Sequence, residues 1–117
     1  MLLGASGSGS ETLKNLILPQ IAEFTIVDDA IITARDVGQN FFLTDDKIGS
    51  SKAEVMCENL LELNPEDTKA IPENVSIDAK LNQENLIWSS KYDLVIGSDL
   101  TNQQAIRASQ KCREGNR

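Results

Sequence analysis

The feature that most constrains this chain is a glycine-rich turn set between a short apolar run and a segment with helical periodicity. Met1, Leu2 and Leu3 lead directly into Gly4-Ala5-Ser6-Gly7-Ser8-Gly9, after which Leu13, Leu16 and Ile17 recur at helical spacing until Pro19. The apolar run reads as the end of a buried strand and the glycines as a tight turn into a helix. Ser10 is expected to cap that helix, with Glu11 favoured by the positive N-terminal end. Phe24-Thr25-Ile26-Val27 is short, β-branched and bounded by Glu23 and Asp28-Asp29, so it predicts a buried strand. The opening is therefore β-α-β.

The remainder of the chain continues the alternation. Residues Ala30 to Ser50 form a long connection carrying the apolar patch Phe41-Phe42-Leu43, and connections of that length are usually functional or interfacial. Ser51-Lys52-Ala53-Glu54 has capping-box spacing, and Ala53, Met56, Cys57, Leu60 and Leu61 follow at helical intervals, so a helix runs to about Asn64-Pro65. Ala70 to Ile77 predicts a short strand, placed at an edge or starting late because of Pro72. Asn82 to Trp88 suits one or two helical turns, and Tyr92 to Gly97 a strand. A last helix is expected over Thr101 to Lys111, capped by Asp99 or Thr101, with Ala105, Ile106 and Ala108 facing inward. The predicted fold class is α/β: a Rossmann-like parallel sheet with flanking helices.

In such sheets ligands sit beyond the carboxyl ends of the strands, which singles out the glycine turn, Asp28-Asp29 and Gly97-Ser98-Asp99. The register Gly4-x-Ser6-x-x-Gly9 matches the fingerprint G-x-G-x-x-G except at its middle position. A glycine there lets the backbone approach phosphate, whereas Ser6 must swing aside or lend its hydroxyl. Asp28 stands where an acidic side chain can hydrogen-bond a ribose hydroxyl. The plainer alternative is that the glycines serve only the turn and close helix packing. A phosphate-binding P-loop is excluded because no Gly-Lys-Ser/Thr follows Gly9, and a serine nucleophile elbow because the chain has no histidine.

Composition removes further classes. The chain of 117 residues fits one domain, and 18 acidic against 11 basic residues give a formal charge of −7, which repels nucleic acid and anionic membranes. Lys111, Arg113 and Arg117 are the tight basic cluster, read as solvated charge. No apolar stretch approaches the length of a membrane span or a secretory signal, so a cytoplasmic or nuclear setting is expected. Cys57 and Cys112 match no metal-ligand or redox spacing, and Cys57 falls on an apolar helical stripe. Trp88 and Tyr92 are read as core or rim residues, since no basic side chains interleave them.

The run Leu3 to Pro19 resembles the first loop and helix of the activating enzymes for ubiquitin-like modifiers, relatives of ThiF-type adenylating enzymes. Phe24-Thr25-Ile26-Val27-Asp28, Asn40-Phe41-Phe42-Leu43 and Ile48-Gly49-Ser50-Ser51-Lys52-Ala53-Glu54 continue the resemblance in the same order, to about Asp99. It implies an adenylation-type domain over residues 1–109, incomplete at both ends, with a divergent polar tail over 110–117. Such enzymes adenylate a modifier with magnesium-ATP, using paired Rossmann-like halves of which one is competent.

The competent half carries a further glycine, a second acid two positions beyond the first, and an Asn-Arg-Gln-Phe segment. Here Ser6, Ala30 and Gln39-Asn40-Phe41-Phe42 stand at those places, so the arginine's stabilisation of phosphate charge is missing. The resemblance therefore implies a regulatory, non-catalytic half of the neddylation type, scaffolding a catalytic subunit and helping to present the modifier. Gly4, Ser6, Gly9, Asp28, Lys52 and Asp99 become vestigial nucleotide-site positions. Lys52 is otherwise a helix-start lysine and Asp99 a helix cap. Phe41 and Phe42 are expected at the subunit interface. No cofactor is expected on this chain, with ATP and magnesium in the catalytic partner. Rival readings are the corresponding half for SUMO, a dinucleotide-binding oxidoreductase domain, and a stand-alone interaction fragment.

Overall fold

The computed structural model describes residues 1–19, 21–40, 43–83 and 92–114. Strands β1 (Leu2–Leu3), β2 (Glu23–Val27), β3 (Lys69–Glu73) and β4 (Ile96–Gly97) form one sheet in the order β3-β2-β1-β4, and every pairing is parallel. Among the described residues, the helices are α1 (Gly7–Ile17), α2 (Ala34–Gln39), α3 (Lys52–Leu61), α4 (Ile77–Leu81) and α5 (Asn102–Glu114), with a 3-10 turn at Asp45–Lys47. The two-residue β1 holds the centre because backbone bonds extend its ladders past both ends. Ile96 donates to the Met1 carbonyl at 2.8 Å, Ser98 to Leu3 at 3.0 Å, and Gly4 to Val27 at 2.9 Å.

Alternation along β1 divides the interior between the two faces of the sheet. Leu2 joins Phe24 and Ile26 under α1 and α3, where Leu13, Ile17, Ala53, Met56, Cys57 and Leu60 are all buried. Leu3 and Val27 point to the opposite face, covered more thinly by Leu81 of α4 and Ala108 of α5. Burial on both faces explains why Phe24 to Val27 of β2 are all buried rather than alternating with exposed residues. Lys80 is also wholly buried. Its ammonium meets both carboxylate oxygens of Glu73 at 2.8 Å and lies 5.0 Å from the Tyr92 ring centre, while the Tyr92 hydroxyl donates to Glu73 at 3.2 Å. A buried ammonium is tolerated only with such partners.

Several boundaries differ from the sequence expectation for physical reasons. The cap of α1 is Ser6, not Ser10: the Ser6 hydroxyl accepts the Gly9 amide at 3.1 Å, so Gly7 to Gly9 are already helical. Ser10 is buried instead, and its hydroxyl donates back to the Ser6 carbonyl at 2.6 Å. The connection from Ala30 to Ser50 contains α2, whose capping box is Thr33 with Asp36 and which buries none of its residues. An element without an apolar stripe leaves no periodic signal. The strand predicted over Ala70 to Ile77 stops at Glu73, because Ser76 caps α4 through the Ala79 amide at 3.1 Å; β3 does lie at the sheet edge, as Pro72 suggested.

Toward the C-terminus, β4 is confined to Ile96–Gly97, shorter than the run from Tyr92. Tyr92 itself is buried. The turns expected over Asn82 to Trp88 fall mostly outside the described residues. Thr101, not Asp99, caps α5: its hydroxyl accepts the Gln104 amide at 3.1 Å, and the Gln104 side chain accepts the Thr101 amide at 3.0 Å. Ala108 faces inward, but Ala105 is exposed and Ile106 is 58% exposed. The helix runs through Glu114, across the expected domain boundary at residue 109. No described helix is long and apolar enough to cross a membrane.

The contrast between the two faces gives a direct expectation. Leu60→Ala, at a site with no exposure, should cost about 2–5 kcal/mol in urea unfolding. Ile106→Ala should stay within about 0.5 kcal/mol.

Candidate functional site

The parallel strands bring three chain segments together at their carboxyl ends. The first is the glycine turn. Gly4 takes φ +93°, a left-handed conformation that side chains resist, and a Cβ there would stand 2.6 Å from the Ser98 carbonyl oxygen. Gly7 is needed for a second close approach, since its Cβ would lie 2.8 Å from the Gln39 carbonyl at the end of α2. The turn is thus wedged between the segment after β4 and the end of α2.

Asp28, leaving β2, closes the turn from below. One carboxylate oxygen accepts the Ala5 amide at 2.9 Å, and the other accepts the Ala30 amide at 2.8 Å. Its own amide donates to the Glu73 carbonyl at 3.2 Å, linking the ends of β2 and β3. On the other side the Ser6 and Ser98 hydroxyls bond to each other, and Ser6 also serves as the α1 cap. Asp99 follows with φ +54°, a conformation that aspartate tolerates better than most residues, and this turns the chain from β4 toward α5.

Above the turn lies an open cavity of about 430 Å³, lined by Ser6, Gly7, Ser8, Glu11, Gln39 and Asp99. The structure therefore brings Gly4, Ser6, Gly9, Asp28 and Asp99 into one neighbourhood. The charged residues lining the cavity are the carboxylates Glu11 and Asp99. Lys52 is engaged elsewhere: its ammonium lies 3.1 Å from Asp36 in α2, with 15% and 22% of the two side chains exposed. Phe41 and Phe42 lie outside the described residues.

Residues that the sequence reading passed over support this arrangement. Asn40 is buried, and its side-chain amide reaches the Ser10 hydroxyl at 3.4 Å and the Met56 sulfur at 3.6 Å, joining the end of α2 to α1 and α3. Asp36 was detectable from the Thr33-x-x-Asp36 spacing, a helix-start signature. Ser98 was singled out only by its place after the last strand, since its contacts with Gly4 and Ser6 are made across the sheet. A second cavity of about 500 Å³ lies at the opposite ends of the strands, with Leu13, Leu16, Phe24 and Ile96 among its walls, away from these groups.

Two titrations bear on chemistry. Burial pushes the Cys57 thiol up to about 12, and nearby Glu54 and Glu58 add to the effect, so this sulfur stays protonated and inert. Partial burial works to raise the Asp36 carboxyl, but the Thr33 amide, the Lys52 ammonium and the Thr33 hydroxyl outweigh it and hold the pKa below the ordinary 3.8. Among the described residues, no group of three or more His, Cys, Asp or Glu side chains is placed to hold a metal ion.

A lowered carboxylate pKa contributes stability that is present above the unfolded-state value and lost as pH falls through the folded one. The unfolding free-energy difference between the chain and Asp36→Asn should therefore be constant above about pH 5. It should close as pH falls below 3.8. Urea midpoints measured across that range check both limbs. Cys57 should also resist alkylation at pH 8 until denaturant is added, as read by mass spectrometry.

Comparison with known proteins agrees with this fold. The NEDD8-activating enzyme E1 regulatory subunit of Xenopus laevis is 35% identical over 116 residues, covering 98% of this chain and 21% of the relative. That of Danio rerio is 40% identical over 106 residues, covering 91% and 20%. The chain thus spans about a fifth of the length of these relatives. Among solved structures, the Escherichia coli tRNA N6-threonylcarbamoyladenosine dehydratase TcdA in complex with ATP superposes with a TM-score of 0.78. It is 21% identical, with 98% of this chain and 46% of that one covered, which supports the fold alone. The sequence pattern of the ThiF family matches residues 1–107, so the chain belongs to the ThiF family.

Proposed function

We propose that this chain acts as the Rossmann-like part of a regulatory, non-catalytic half of a heterodimeric activating enzyme for a ubiquitin-like modifier, of the NEDD8 class. It works by packing against a catalytic subunit that holds ATP and magnesium. The observation that carries this reading is the internal closure of the glycine turn. The Ala5 amide is committed to Asp28 and the Gly9 amide to Ser6, while carboxylates line the cavity above. A triphosphate needs amides and cations, whereas two of this turn's amides are already bonded within the chain and the charges lining the cavity are negative. Magnesium-ATP is therefore a poor fit to these residues, and no chemical step is assigned to the chain.

In this reading Gly4, Ser6, Gly9, Asp28, Lys52 and Asp99 keep the positions of a nucleotide site but serve the architecture. Phe41 and Phe42 meet the partner. The modifier reaches the chain only within the assembled pair, in the cytoplasm or nucleus, and neither nucleic acid nor membrane takes part. The names carried by the relatives favour the NEDD8 class over the SUMO half and the oxidoreductase alternative.

Two assays test the proposal. Tagged full chain incubated with the catalytic subunits of the NEDD8- and SUMO-activating enzymes should retain the first and not the second. ATP–pyrophosphate exchange by the purified chain with NEDD8 should not rise above background. Retention of the SUMO subunit alone would change the modifier, and exchange by the chain alone would overturn the non-catalytic assignment.

A further inference from the structure

The glycine turn is short of positive charge although a lysine opens the helix that packs beside α1. Helices α1 and α3 each connect neighbouring parallel strands, so both begin at the sheet end where β1 and β2 finish. They pack together there, with the Met56 sulfur 3.9 Å from the Ser10 hydroxyl. Lys52 opens α3 and lies one helical turn before Met56, a rise of about 6 Å. Its flexible four-carbon stem can carry the ammonium in more than one direction. It goes to Asp36.

Asp36 is unusually well fixed for this task. One of its carboxylate oxygens accepts the Thr33 amide at 2.8 Å and the Thr33 hydroxyl at 3.0 Å, while the Asp36 amide donates to that hydroxyl at 3.3 Å. The capping box therefore locks the carboxylate and presents its second oxygen to Lys52 at 3.1 Å. The α2 helix that carries it ends against the turn, through Gln39 beside Gly7 and Asn40 beside Ser10. Apart from Val37, which packs partly buried against the core, this helix is held by polar contacts at both ends, one of which engages the Lys52 ammonium.

We propose that Asp36 is a latch: it captures Lys52, keeps that cation off the glycine turn, and so leaves the cavity between Glu11 and Asp99 repellent to polyphosphate. This rests on the reading of the turn as non-catalytic and names the residue that enforces it. Asp36 is a positioning residue in this scheme. It touches no ligand and acts through Lys52. Replacing its charge while keeping an acceptor for Thr33 releases the ammonium, which then swings toward the turn and supplies a charge-assisted hydrogen bond to phosphate.

The test uses the full chain and inorganic tripolyphosphate, with affinity read by calorimetry and lysine exposure by acylation and mass spectrometry. Asp36→Asn should bind tripolyphosphate about tenfold more tightly than the unmodified chain, the change that one such bond carries. Adding Lys52→Met should return affinity to the unmodified level. Lys52 in the unmodified chain should acylate several-fold more slowly than exposed Lys69, and Asp36→Asn should remove most of that protection. Unchanged affinity in Asp36→Asn, or a gain that survives Lys52→Met, overturns the latch. So does equal acylation of Lys52 and Lys69 in the unmodified chain, a readout that holds even where the variant folds poorly. Tight magnesium-ATP binding with pyrophosphate exchange by the unmodified chain would instead sink the proposed function.

Discussion

The carboxylate of Asp28 holds the end of this sheet together. Its two oxygens accept amides from the glycine turn and from the chain leaving β2, and its own amide reaches the end of β3. Three segments far apart in sequence are thereby fixed at one point. Ser98 completes the enclosure from β4 by pressing its carbonyl against Gly4 and bonding Ser6 with its hydroxyl. Buried amides must find acceptors, and in this turn those acceptors come from the chain itself. The conformation of the turn is stabilised by these internal contacts.

The charge distribution acts in the same direction. A helix N-terminus attracts anions, but Glu11 and Asp99 border the cavity at the start of α1, and the nearby ammonium of Lys52 is held by Asp36. These carboxylates oppose the partial positive charge of the helix end, in a chain of net charge −7. On the proposed reading, likeness in fold to an ATP-bound structure and a turn that takes no ATP are compatible. The backbone keeps the tight turn of the fold, while the charged side chains lining the cavity above it are carboxylates.

Legibility in the sequence followed how each element is specified. The β-α-β opening and α3 were readable because an apolar stripe or a β-branched run marks each one, and Gly4 was readable because the turn requires a positive φ. The α2 helix escaped notice because it is set by a capping box and lacks any buried residue. The α1 cap was displaced to Ser10 in the reading because glycines at Gly7 and Gly9 have low helix propensity, which tertiary packing overrode. Within the site, Asp28, Gly9 and Ser6 were legible by spacing. Ser98, Asn40 and the Lys80–Glu73 pair depend on contacts across the sheet or between helices, which a linear pattern does not encode.

The most direct test of the account is the nucleotide stoichiometry of the assembled pair. Magnesium-ATP titrated by calorimetry into the full chain bound to its catalytic subunit should fill one site per heterodimer, and the same titration into the chain alone should show no saturable heat. Two sites per heterodimer, with the second abolished by substitution at the glycine turn of this chain, would contradict it.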